Sequence, residues 1–138
     1  MINFIVLDDE NLIRDTTKKI INKIMMPYDI EYCINVFNDY NMELKNIIEK
    51  NSDTKIYILD IELPSKSGID IARKIREKDW DSVIIFLTAH YDLGLEAIKN
   101  RLMLLDFISK FNNYKENIKK TIELALKIID KKKSLNFE

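Results

Sequence analysis

The chain has 138 residues, enough for one domain with a real core and no need of disulfide or metal staples. Hydrophobic residues make up 46% and charged residues 33%, which excludes a disordered chain. A net charge near −1 and a pI of 5.9 exclude a basic surface suited to phosphate-backbone binding, so no direct nucleic-acid partner is expected for this segment. Cys33 is the only cysteine, which leaves neither an intrachain disulfide nor a thiolate metal cage and fits a reducing compartment.

The chain opens on the apolar run Asn3–Leu7 and then meets Asp8-Asp9-Glu10, a stop that no signal-peptide apolar region tolerates. Leu12-Ile13, Thr17, Ile20-Ile21 and Ile24 follow at helical spacing. Glu31–Phe37 is the second strand candidate, with Cys33 as packing, and Met42 and Ile47-Ile48 mark the second helix. Lys55–Leu59 is the third strand, followed by a helix through Ile69, Ala72 and Ile75; Val83–Leu87 is the fourth, followed by a helix at Leu93, Ala97 and Ile98. Leu104–Ile108 is the fifth strand, and Ile118, Ile122, Ala125-Leu126 and Ile129 define a long last helix. Strands one, three and four are almost continuously apolar, as strands covered on both faces must be, with Tyr57 as the mild exception. Trp80, Met25, Met26 and Tyr28 are expected as packing residues. No run approaches the length needed to span a membrane, so a cytoplasmic α/β protein is expected. Its fold would be a (βα)5 doubly wound parallel sheet over residues 1–130, with 131–138 as a tail that leads toward a possible further domain. The lysines at 131–133 read as a solvated helix end.

Ligands of such sheets bind beyond the carboxyl ends of the strands, where strand order reverses. Strand one ends in Asp8-Asp9-Glu10, strand three in Asp60-Ile61-Glu62, strand four in Thr88-Ala89-His90 and strand five in Ser109-Lys110. In the order 2-1-3-4-5, Asp8, Asp9 and Asp60 converge in one crevice, where three carboxylates need a cation to offset their repulsion. Oxygen-only ligands favour a hard ion such as Mg²⁺. Lys110 adds a positive charge and Thr88 a hydroxyl held in few rotamers. Together these are the parts of a phosphoryl-transfer site with an aspartate nucleophile.

These pieces resemble the receiver domain of two-component response regulators, a flavodoxin-like fold, across essentially the whole chain. The matching stretches are Phe4-Ile5-Val6-Leu7-Asp8-Asp9-Glu10, Ile58-Leu59-Asp60-Ile61-Glu62-Leu63-Pro64 with Gly68, Ile85-Phe86-Leu87-Thr88-Ala89, and Asp106-Phe107-Ile108-Ser109-Lys110. The forms Ile85-Phe86-Leu87-Thr88-Ala89-His90 and Leu105-Asp106-Phe107-Ile108-Ser109-Lys110 are most similar to receivers attached to a LytTR DNA-binding domain. The resemblance implies Asp60 as phosphoacceptor, with Asp8, Asp9, Asp60 and the Glu62 backbone carbonyl as Mg²⁺ ligands. It implies Thr88, Ala89 and Lys110 as phosphoryl-binding residues and Phe107, with Thr88, as the switch. The implied partner is a sensor histidine kinase, and the surface around helix four, strand five and helix five would dimerise or meet an output module, through which DNA could be reached. Glu62 and His90 are candidates for tuning the phosphoryl lifetime. The family pattern usually carries proline after the lysine, often with a cis peptide; here the residue is Phe111.

Taken singly, these residues have simpler readings. Asp8-Asp9-Glu10 would complement the dipole of the first helix, Phe107 would be core, His90 an ordinary loop histidine, and Pro64 and Gly68 loop and helix-start residues. Two rival functions also stand: a receiver-like interaction module independent of phosphate, and a phosphatase of the haloacid-dehalogenase kind, whose paired carboxylates Asp60-Ile61-Glu62 faintly echo.

Overall fold

The protein is described here by a computed structural model, which covers residues 1–51, 53–90, 92 and 101–136. The strands are β1 (Ile2–Leu7), β2 (Tyr32–Phe37), β3 (Thr54–Leu59), β4 (Val83–Thr88) and β5 (Asp106–Ser109). The helices are α1 (Asn11–Met25), α2 (Met42–Glu49), α3 (Gly68–Lys78) and α4 (Tyr114–Asn136). The predicted helix at Leu93, Ala97 and Ile98 lies outside the described residues. All strands pair in parallel in the order β2-β1-β3-β4-β5, as expected.

Side-chain alternation along the strands divides the core in two. Phe4 and Val6, Ile56 and Ile58, and Ile85 and Leu87 face α1 and α4, where they meet Ile21, Met25, Ile118, Ile122 and Ala125. Ile5 and Leu7, Tyr57 and Leu59, and Ile84 and Phe86 face the other way, toward Leu44 and Ile48 of α2 and Ile71, Ala72 and Ile75 of α3. Every residue of β1 and β4 is buried. Tyr57 is no exception in β3, since it is fully buried with its ring in the second core. β2 is an edge strand, so most of its residues, Cys33 included, are only half-buried.

Met25 packs in the core, whereas Met26 is 80% exposed, and Tyr28 and Trp80 are also exposed. The expectation of packing fails for these three because they lie at or beyond helix ends, where helical spacing no longer dictates a face. Trp80 instead lies against the Arg76 guanidinium, 5.7 Å from ring centroid to Cζ. Arg76 is itself buried and donates to the carbonyls of Leu102, Met103, Asp79 and Ser82, tying α3 to the segment that enters β5. That segment carries two left-handed non-glycine residues, Arg101 (φ 53°) and Met103 (φ 55°).

α2 and α3 start on side-chain caps, Asn41 accepting from the Leu44 amide at 2.8 Å and Ser67 from the Ile69 amide at 3.2 Å. α1 starts at Glu10, whose side chain makes no cap bond. α4 runs through Asn136, so residues 131–136 continue the last helix. None of the described helices is long and apolar enough to cross a membrane.

Candidate functional site

β1, β3 and β5 each hand one residue past the last paired position to the same edge. The Asp8 amide donates to the Phe37 carbonyl at 3.0 Å, the Asp60 amide to Leu7 at 2.9 Å, and the Lys110 amide to Thr88 at 2.9 Å. These bonds extend the ladders and fix the side chains of Asp8, Asp60 and Lys110 with backbone precision. Gly68 closes the approach behind Asp60: its amide donates to the Ile61 carbonyl at 2.7 Å, and a Cβ there would sit 2.0 Å from the Asp60 carbonyl oxygen. Close approach, not an unusual dihedral, is what requires glycine at this position.

The side chains converge as the sequence predicts. Lys110 Nζ lies 2.9 Å from Asp8 Oδ2, 3.0 Å from Asp60 Oδ2 and 2.6 Å from Glu10 Oε2. Asp8, Asp9 and Asp60 each offer an oxygen within 4.8 Å of the others; Asp8 and Asp60 are buried and Asp9 is exposed. Asp60 Oδ1 is buried and has no hydrogen-bond partner. An orphaned carboxylate oxygen beside two further carboxylates, in an all-oxygen donor set open to solvent at Asp9, fits a hard divalent cation.

Thr88 is fully buried; its Oγ1 accepts from the His90 amide at 3.1 Å. Ala89 lines the cleft between the loops that follow β3 and β4, with Glu62, Leu63 and Pro64 on the facing side. The Glu62 carboxylate and His90 Nε2 meet in direct contact at the lining of this cleft. Phe107 is half-buried and meets Phe86 edge-on, ring centroids 5.8 Å apart. The Lys110–Phe111 peptide is trans, and Phe111 is 82% exposed.

Glu10 is the residue to which sequence reading assigns no role at the site. The signal was present, since an acidic residue next to the Asp8-Asp9 pair at a strand end needs no helix dipole to explain it. The direction of its side chain was not.

Burial, above all, pushes the Asp8 carboxyl up to about 6; the Asp60 charge adds to the rise, while the Glu10 amide and Lys110 pull against it. For Lys110, burial works to lower the pKa, but hydrogen bonds to Glu10 and Asp8 outweigh it and hold the ammonium above the ordinary lysine range. A carboxyl raised in the folded state binds its proton more tightly than in the unfolded chain. The metal-free protein therefore carries the full cost of the Asp8 charge above pH 6 and sheds it as pH falls toward 4. Asp8→Asn is expected to stabilise the metal-free protein by about 1 kcal/mol at pH 7.5, after allowance for solvent on the open side of the cleft, with the gain shrinking by pH 5. Thermal melts at the two pH values check this.

Comparison with known proteins agrees with this fold. A five-stranded parallel sheet with an acidic cluster and a lysine at its carboxyl edge defines a receiver-type α/β domain. The family described as response regulator receiver domain matches residues 4–123, and the chain belongs to that family. It is 32% identical over 106 residues to the sensory transduction protein LytR of Staphylococcus saprophyticus, covering 77% of this chain and 39% of that protein. The chain spans about half the length, or less, of the curated relatives it matches. Among solved structures, a response regulator receiver domain protein from Clostridium thermocellum superposes with a TM-score of 0.73 at 24% identity, covering 98% of this chain and 99% of that one. The response regulator TrrA of Thermotoga maritima, solved in complex with Mg²⁺ and BeF, superposes with a TM-score of 0.61 at 30% identity, covering 88% and 99%.

Proposed function

We propose that this chain is a phosphoacceptor domain that takes a phosphoryl group on Asp60 from a phosphohistidine of a sensor histidine kinase. The observation that carries the reading is the convergence of Lys110 on Asp60 and Asp8 while Asp60 Oδ1 is left without a partner. In the step, an Asp60 carboxylate oxygen attacks phosphorus, the bond from phosphorus to the donor imidazole breaks, and the imidazole leaves and takes up a proton. Asp8, Asp9, Asp60 and the Glu62 carbonyl would hold Mg²⁺, which offsets charge on the transferring group. Lys110, the Thr88 hydroxyl and the Ala89 amide receive the phosphoryl oxygens.

The product adds a charge of roughly −1.5 to −2 at a buried edge of the sheet. Drawing Thr88 and Lys110 toward it biases the ring of Phe107, which packs on the same strand pair. The face formed by β5, α4 and the segment before β5 is where a second copy or an output module would read the change. A regulator of the LytR kind would use such a module on DNA, with residues 131–138 leading toward it from the receiver unit at 1–130. This reading places the protein in the cytoplasm, its chemistry limited to its own phosphorylation and dephosphorylation.

Incubation with acetyl phosphate and Mg²⁺, read by phosphate-affinity electrophoresis beside Asp60→Asn, separates this from a phosphate-independent interaction module. A retarded band for the parent alone supports phosphoacceptance; no retardation of either contradicts it. Glu62 and His90 meet each other and line the same cleft as Asp60, which supports a role for both side chains in hindering or aiding the water that hydrolyses the acyl phosphate. Glu62→Ala and His90→Ala are each expected to change the decay rate of the phosphorylated form more than its rate of formation, followed by the same bands over time. Unchanged decay in both variants would contradict that role.

A further inference from the structure

Arg14 reaches this edge only at the Asp8 carbonyl, at 2.8 Å, so among the described residues Lys110 is the cation that meets the carboxylates of Asp8, Glu10 and Asp60, and its ammonium has three N–H donors. All three directions are taken: Asp8, Asp60 and Glu10 lie within 3.0 Å. A phosphoryl oxygen can reach Lys110 only if one of these carboxylates gives way. Asp8 and Asp60 are nearly fully buried and fixed by the ladder bonds of β1 and β3. The Glu10 side chain is 58% exposed and can swing into water.

Among the described residues, the Glu10 carboxylate has no partner but Lys110. It is the N-cap residue of α1, with extended backbone (φ −90°, ψ 117°), and its carboxylate makes no bond to the helix amides it precedes. It reaches instead across 100 residues of sequence to Lys110, at the shortest of the three lysine contacts. Its own amide donates to Asp8 Oδ1, which keeps its backbone beside the cluster.

We propose that Glu10 is a positioning residue that parks Lys110 in the unphosphorylated protein and is displaced by the incoming phosphoryl group. It thus sets how readily the site accepts a phosphoryl-like anion. This rests on the phosphoacceptor reading above. The carboxylate competes with the anion for one N–H donor, so removing the contact leaves Lys110 free to turn to the ligand. Aspartate at the same position keeps the charge but withdraws the carboxylate by one methylene, about 1.5 Å, out of contact range. It therefore separates a parking contact from general repulsion between Glu10 and the anion.

The test is the affinity for beryllofluoride, a phosphoryl mimic, in saturating Mg²⁺ by isothermal titration calorimetry on the parent, Glu10→Gln and Glu10→Asp. Both variants are expected to bind about two- to five-fold more tightly than the parent, the range set by an ion pair with one exposed partner. If Glu10→Asp matches the parent while Glu10→Gln binds more tightly, the effect is charge alone and the parking role is overturned. Unchanged or weakened binding in both overturns it as well. If the parent itself binds no beryllofluoride, the phosphoacceptor reading fails together with this one; binding by the parent leaves that reading standing whatever the variants do.

Discussion

Gly68→Ala is expected to destabilise the protein by about 3 kcal/mol and to impair phosphoacceptance even where it is folded. An added Cβ would stand 2.0 Å from the Asp60 carbonyl oxygen, 2.8 Å from its carbonyl carbon and 3.0 Å from Ile61 Cα, all of them backbone atoms. No flexible side chain can move aside, so either α3 or the end of β3 must shift. The second choice carries Asp60 out of line with Lys110. Urea unfolding measures the first effect. Labelling by acetyl phosphate, below the transition where the variant is still native, measures the second. A variant with parental stability would mean that the loop after β3 yields more easily than its packing implies.

Lys110→Met should lower the rate of phosphorylation by acetyl phosphate about 100-fold, the usual consequence of removing one charge-stabilising donor from a reacting centre. Methionine keeps the length and much of the apolar stem while deleting the ammonium, so the effect isolates the charge. The same change leaves Asp8 and Asp60 facing each other at a buried edge with no cation between them. The metal-free variant should therefore melt below the parent, and added Mg²⁺ should recover part of the loss. Lys110→Arg is not expected to restore the rate, because a planar fork cannot place its donors as a tetrahedral ammonium does among three carboxylates. A Met variant that labels at the parental rate would show that Lys110 only fills space.

Much of this site can be read from the sequence because its residues stand at the ends of apolar runs. Asp8, Asp60 and Thr88 each close or follow a buried strand, and a parallel sheet in the order 2-1-3-4-5 leaves them no other edge to share. Lys110 follows from the same logic one strand further on. What could not be read depends on side-chain direction in loops. Glu10 could have capped α1, and only the folded chain turns it toward Lys110. The Glu62–His90 pair joins two loops whose relative height no periodicity encodes. Arg76 looks like one more surface cation of an amphipathic helix, yet it is buried and holds four carbonyls. Met26 and Trp80 fail in the opposite sense, since apolar identity at a helix end does not say which way the side chain faces. Phe107 lies between the two readings offered for it, half-buried on an edge strand with its ring edge-on to Phe86.

The central claim, that Asp60 itself accepts the phosphoryl group, is tested most directly by locating the modification. The protein, treated with acetyl phosphate and Mg²⁺, is reduced with borohydride, which converts an acyl phosphate to homoserine, and the peptide spanning Asp60 is sequenced by mass spectrometry. Homoserine at position 60, dependent on Mg²⁺ and absent without acetyl phosphate, is the predicted result. Homoserine at Asp8, Asp9 or no position, with residue 60 still aspartate, would contradict it.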